Sequence, residues 1–186
     1  MKNPLTLRRG TLLLTVALLG GAAVTFALQQ DAPVQFSTFT ASAGIQFRHE
    51  NGATPDKYLP ETMGAGAVFF DYDSDGWLDI FLVNGGSFSD AGKAARAQHR
   101  LYRNTGAGVY RDVTGTSGIG AFGYGMGACS ADYDNDGWAD LYITGIGGNR
   151  LYHNTGKEVL TDVTPHAGVA AGMWSSSCGF GDVDND

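Results

Sequence analysis

The sequence predicts an all-β fold, a β-propeller of about three four-stranded blades, and three observations carry that expectation. First, an acidic loop recurs: Asp71-Tyr72-Asp73-Ser74-Asp75-Gly76-Trp77-Leu78-Asp79 returns as Asp132-Tyr133-Asp134-Asn135-Asp136-Gly137-Trp138-Ala139-Asp140. It begins again as Asp182-Val183-Asp184-Asn185-Asp186, so the chain reads as a piece of a longer protein, cut short at its C-terminal side. Second, the intervening sequence repeats in register with a period of 50 residues: Arg100 to Gly106 returns as Arg150 to Gly156, Asp112-Val113-Thr114 as Asp162-Val163-Thr164, and Asp132 as Asp182. Third, the strand signals are short and evenly spaced, and no helical periodicity of useful length follows residue 30. Four short strands per repeat is the pattern of a propeller blade.

Within one period the strands are expected at Gly125 to Ala131, Leu141 to Thr144, Arg150 to Asn154 and Val159 to Val163, with Thr155-Gly156 as a turn. A fainter earlier copy, Phe39 to Ile45, matches Val113 to Ile119 and Val163 to Val169. The first full repeat is longer: Thr40 to Thr114 spans 74 residues, against 50 for Thr114 to Thr164. Thirteen of the extra residues fall before Asp71 and eleven between Asp79 and Arg100. In an antiparallel blade both insertions emerge at the end opposite the acidic loops, and long loops on a rigid scaffold are where binding tends to sit.

Residues 1–27 read as an export signal. Lys2, Arg8 and Arg9 precede an uncharged, mostly apolar run from Thr11 to Leu28, and Thr25-Phe26-Ala27 places small residues where a signal peptidase inspects them, so cleavage is expected after Ala27. The competing reading is an uncleaved anchor, because 18 such residues just span a bilayer core of about 30 Å. Residues 28–35 form a linker and 36–186 the repeats; on either reading the folded part is exported. The formal net charge is −7, and 11 of the 19 acidic residues lie in the three loops. No basic patch offsets them, which excludes a nucleic-acid partner, and a membrane partner is expected only if the N-terminal segment is uncleaved. Export permits disulfides. Cys129 and Cys178 lie three and four residues before the first Asp of their loops, positions that face opposite ways on a strand, so they are expected as two separate buried thiols.

Four carboxylates in nine residues repel one another unless a cation lies among them. Asp71, Asp73, Asp75 and Asp79, with the backbone carbonyl of Trp77, form one candidate ligand set. Asp132, Asp134, Asp136 and Asp140, with the carbonyl of Trp138, form a second, and Asp182, Asp184 and Asp186 open a third. Hard oxygen donors on a flexible loop favour Ca2+ over zinc or magnesium. An EF-hand is excluded, since position 12 holds Leu82 or Ile143 where the bidentate Glu belongs. The alternative without metal is an acidic turn held by its own Asx hydrogen bonds. Trp77 and Trp138 are expected to cover their loops, Phe69, Phe70, Tyr102 and Tyr152 to pack between blades, and Gly64, Gly66, Gly125 and Gly127 to allow close strand approach.

The glycine-rich strand, the Asp-x-Asp-x-Asp-Gly-x-x-Asp loop and the Asn-x-Leu-Tyr-x-Asn-x-Gly strand together resemble FG-GAP/VCBS repeats, the blades of integrin α-subunit propellers. Ala43-Gly44-Ile45-Gln46-Phe47-Arg48-His49 and Leu59-Pro60-Glu61-Thr62-Met63-Gly64 resemble the cartilage acidic protein (ASPIC/UnbV) family of secreted propellers. That resemblance, covering residues 36–186, implies a seven-bladed calcium-binding ring. It points to an exported, non-enzymatic scaffold for binding or adhesion, with an extracellular protein or polysaccharide as partner. The candidate contacts are His49, Glu50, Asp56, Lys57, Tyr58 and Glu61 in the first insertion and Asp90, Lys93 and Arg96 in the second. The alternative is the propeller of a secreted enzyme of the polysaccharide lyase or quinone-dependent dehydrogenase type, with His49, Glu50 and Glu61 as an acid/base set. His153 replaces Arg103 on a surface strand and is expected to be merely solvated.

Overall fold

The computed structural model describes residues 13–17, 23–27, 35–87 and 98–184. The chain divides into two units, Met1–Thr38 and Phe39–Asp186. In the first, β1 (Leu13–Ala17) and β2 (Ala23–Ala27) pair as an antiparallel hairpin with Leu13 opposite Ala27. Among the described residues no helix is long and apolar enough to cross a membrane.

The second unit holds two four-stranded antiparallel sheets, each a simple meander. One runs β3 (Ala67–Phe70), β4 (Asp79–Leu82), β5 (Arg100–Asn104) and β6 (Tyr110–Asp112). The other runs β7 (Tyr124–Ala131), β8 (Asp140–Ile146), β9 (Arg150–Asn154) and β10 (Leu160–Asp162). The four strands expected per repeat are all present, with β8 extending two residues beyond its expected end. Two short helices, α1 (Leu59–Thr62) and α2 (Thr164–Ala167), carry Pro in their first turn, where a missing backbone N–H costs nothing. Among the described residues the architecture is all-β, two four-stranded antiparallel sheets of the kind expected for propeller blades.

One face of each blade supplies the core. Phe70, Tyr72, Phe81, Val83 and Leu101 of the first sheet pack with Phe122, Leu141, Ile143, Tyr152 and Leu160 of the second. Phe70, Tyr102 and Tyr152 are buried as expected, but Phe69 is 60% exposed. Side chains alternate along a strand, so Phe69 points away from the face that Phe70 buries. The innermost strands β3 and β7 lie side by side: Gly66 N–H donates to the Met126 carbonyl over 2.8 Å, and a Cβ on Gly66 would sit 3.0 Å from the Gly127 Cα. A bulge between Gly125 and Gly127 marks where β7 makes this contact.

Successive repeats are also hooked at their outer edges. The Ala43 carbonyl accepts from Tyr110 N–H over 2.7 Å, and the Ser117 carbonyl accepts from Leu160 N–H over 2.7 Å. Gly44 (φ +82°) and Gly118 (φ +81°) follow those carbonyls, where a Cβ would strike the backbone oxygen of Tyr110 or Leu160. The faint early copy at Phe39 to Ile45 is thus a real structural repeat of Val113 to Ile119.

Cys129 and Cys178 form a disulfide with a Cα–Cα distance of 5.9 Å, which corrects the expectation of two separate thiols. The strand-alternation argument failed because it presupposed a paired strand at both positions. Cys129 lies on β7, but residues 175–181 form no strand. There the chain runs beside β8, with Ser175 N–H on the Gly145 carbonyl, outside any strand ladder that would impose alternation.

Candidate metal centre

Each acidic loop joins the first and second strands of its blade, and the two are built alike. Asp71 accepts from Asp75 N–H (3.1 Å) and Gly76 N–H (2.8 Å), and Asp75 accepts from Trp77 N–H (2.9 Å). Asp79, fully buried, accepts from Tyr72 N–H (2.9 Å) and, across the sheet, from Asn104 N–H (2.7 Å). In the second loop Asp132 accepts from Asp136 and Gly137, Asp136 from Trp138, and Asp140 from Tyr133 and Asn154, at 3.1, 2.8, 2.9, 3.0 and 2.7 Å. Gly76 (φ +87°) and Gly137 (φ +90°) make the reversal.

These Asx turns are what the metal-free reading requires, and they satisfy positions 1, 5 and 9 in part. Position 3 escapes them. The Asp73 side chain is 3% exposed, and its close partner is the guanidinium of Arg103, set against Oδ2. One guanidinium beside the clustered carboxylates of Asp71, Asp73 and Asp79 leaves net negative charge in the loop, and a divalent cation among the loop oxygens would offset it. Burial pushes the Asp79 carboxyl up to about 6 and raises those of Asp140 and Asp73, in the last case against the pull of Arg103. The residues therefore fit a divalent cation on an observation of their own geometry.

Ligand oxygens of Asp71, Asp73 and Asp79 lie within 4.8 Å of one another, as do those of Asp132, Asp134 and Asp136. Asp75 stands outside the first cluster and pairs with Arg103 Nη2 at 3.4 Å. Asp134 and Asp140 form a further group with His153. The peptide N–H groups of Trp77 and Trp138 turn into the loops. The Trp77 indole lies 3.9 Å from where a Gly106 Cβ would stand, and Trp138 packs still closer over Gly156, so each ring covers the neighbouring third-to-fourth-strand turn. Asp182 and Asp184 are exposed, with Asp184 N–H on Asp182 Oδ1 at 3.3 Å, and they border an open cleft of about 410 Å³ shared with Asp132 and Asn135. Asp186 lies outside the described residues.

The residues that sequence reasoning missed are Arg103 and His153, which occupy the same repeat position on the third strand. Arg103 Nε contacts Asp73 Oδ2 at 2.5 Å, and its Nη1 reaches Glu158 of the next blade at 3.5 Å. His153 is not simply solvated: its side chain is 20% exposed and Nδ1 lies 3.3 Å from both Asp134 Oδ2 and Asp140 Oδ1. The available signal was a basic residue at one fixed repeat position, always beside an acidic loop.

The first insertion lies at the opposite end of the strands from the acidic loops. It is tied down by Gly86 N–H on the Glu50 carbonyl (2.7 Å), Glu50 N–H on Asn84 Oδ1 (2.8 Å) and Tyr124 OH on the Asn51 carbonyl (2.8 Å). Glu61 is buried and accepts from Thr54 N–H (3.0 Å) and Thr54 Oγ1 (2.7 Å), which hold its carboxyl below the ordinary range. It therefore fastens the loop from within rather than presenting an acid at the surface. His49, Glu50, Asp56, Lys57 and Tyr58 are exposed, with Tyr58 OH donating to Asp56 at 3.3 Å. Asp90, Lys93 and Arg96 lie outside the described residues.

In a comparison with known families, the FG-GAP-like repeat model fits residues 71–143 and again residues 132–186. No curated protein matches the chain. FG-GAP-like repeats fit an extracellular propeller of the adhesion type, and the Cys129–Cys178 disulfide fits an oxidising compartment.

Proposed function

The chain belongs to the FG-GAP-like repeat family, and from that premise we propose that it is an exported, calcium-stabilised propeller scaffold of the cartilage acidic protein type. It acts by binding and not by catalysis, and its partner is an extracellular protein or polysaccharide. The observation that carries the calcium reading is the convergence of the Asp71, Asp73 and Asp79 oxygens to within 4.8 Å of one another, with the Asp73 side chain almost fully buried. In the second loop Asp132, Asp134, Asp136 and Asp140 play the same parts. The ion supplies charge compensation and ties each loop to its third strand through Asp79 and Asp140. Residues 1–27 act as the export signal, and seven blades close the ring in the whole protein.

The exposed face of the first insertion, with His49, Glu50, Asp56, Lys57 and Tyr58, is the contact surface. Its hydrogen bonds to Asn84, Gly86 and Tyr124 hold it in one conformation, which lowers the ordering cost of binding. Glu61, turned inward, leaves the acid/base set of an enzyme incomplete.

The test is a thermal melt of the signal-free chain in millimolar calcium and then in chelator. At calcium ten times the dissociation constant each occupied loop adds about 1.4 kcal/mol, so the melting temperature should rise by several degrees. An unchanged melting temperature would mean that the loops are self-bonded acidic turns.

A further inference from the structure

The two acidic loops share their backbone geometry and differ in what the third strand lays against them. In the first, Arg103 places a permanent positive charge on Asp73 (2.5 Å) and Asp75 (3.4 Å), and Glu158 of the next blade holds the guanidinium from its other side (3.5 Å). A guanidinium stays protonated under all working conditions and has no lone pair to offer a metal. In the second, His153 brings Nδ1 to 3.3 Å from Asp134 and from Asp140, and that nitrogen is buried without a hydrogen-bond partner. An imidazole carries no permanent charge, so it does not hold the loop as the guanidinium does.

We propose that this third-strand position sets the order in which the loops fill: Arg103 is the resident counter-ion of the first loop and makes it the weak site, while the second loop, with His153 at the same position, has no fixed counter-ion and fills first. The inference rests on the calcium reading above and adds to it a difference between two sites that the repeat pattern presents as equal. A divalent cation entering the first loop must either displace Arg103 from Asp73 or sit within a few ångströms of its charge. In the second loop no permanent charge occupies that place. Arg103 also spans two blades through Glu158, so its displacement loosens an inter-blade ion pair, a further cost confined to the first site.

Calorimetric titration of the signal-free chain with Ca2+ alone tests this. Asp134→Asn leaves the first loop to be read, Asp73→Asn leaves the second, and the double variant gives the baseline. The Asp73→Asn chain should bind at least about tenfold more tightly than the Asp134→Asn chain. Adding Arg103→His to Asp134→Asn should close most of that gap. Adding His153→Arg to Asp73→Asn should open the second loop to the same weakness, an independent arm if the Arg103 variant folds poorly. Equal affinities that neither swap moves would overturn the inference and leave the calcium reading standing. No heat above baseline in any chain would remove both.

Discussion

The first and second blades make the same five backbone hydrogen bonds to their acidic loops, matched to within 0.1 Å, yet fasten to their surroundings differently. Where β3 meets β7, the facing repeat positions are Val68 and Ala128, both packed on the hydrophobic core. Their counterparts one blade later are Cys129 and Cys178, joined covalently. Asn104 Nδ2 donates within its own blade, to the Leu78 carbonyl (3.1 Å) and Tyr110 OH (3.4 Å). Asn154 Nδ2 donates to the Ala139 carbonyl (3.0 Å) and also reaches back to the Tyr72 carbonyl of the first blade (2.7 Å). What the repeat preserves is the loop; what it varies is the means of attachment to the next copy.

The comparison is broken most severely by removing the covalent tie. Cys129→Ser with Cys178→Ser frees a loop of 49 residues and should cost about 4 kcal/mol in denaturant unfolding. A loss below 1 kcal/mol would mean that packing alone, as at Val68 and Ala128, holds the second junction. Next in size is Asn154→Ala, which strands a buried carbonyl in each of two blades and should cost about 3 kcal/mol, against about 1 kcal/mol for Asn104→Ala. Equal costs would show that the bond to Tyr72 carries no inter-blade stability.

The smallest effect sharpens a third pair, His99 and Asn149. His99 Nδ1 accepts from Asn84 N–H (3.0 Å), as Asn149 Oδ1 accepts from Gly145 N–H (3.2 Å). Burial holds the His99 imidazole down at about 4, from an ordinary 6.5. Between those values the unfolded chain takes up a proton at His99 that the folded chain refuses, so the stability His99 contributes falls as the pH drops through that window. From pH 7 to pH 5 the His99 contribution alone should fall by about 2 kcal/mol, while the raised Asp79 carboxyl contributes in the opposite direction. His99→Asn keeps the acceptor that Asn149 supplies in the second blade and should flatten that part of the dependence. Urea midpoints of both chains at the two pH values measure it, and parallel slopes would clear His99 of the effect.

Much of this was legible in the sequence because it is local. A nine-residue loop with carboxylates at positions 1, 3, 5 and 9 needs no tertiary information to declare its chemistry, and the 50-residue register fixed the strand order. The failures are all non-local. Cys129 and Cys178 were separated by an alternation rule that lapses where residues 175–181 leave the sheet. His153 looks like a solvated residue in the sequence because the third strand's neighbour, the acidic loop, lies ten or more residues away. Glu61 read as a surface acid because nothing in its own stretch shows Thr54 folding back onto it. Phe69 and Phe70 look identical on paper, and only the side chosen by β3 separates them.

The hooks at Ala43 and Ser117 bear on the solubility of the chain. β6 and β10 are outermost strands, and each would otherwise present a row of free N–H and C=O groups that a second molecule is able to extend. In both blades the segment that closes the preceding repeat takes one of those N–H groups, from Tyr110 or Leu160, and lies across the edge. Each repeat thereby shields its successor from strand-to-strand aggregation, and a substitution at Gly44 or Gly118 would uncover an edge without touching any core residue.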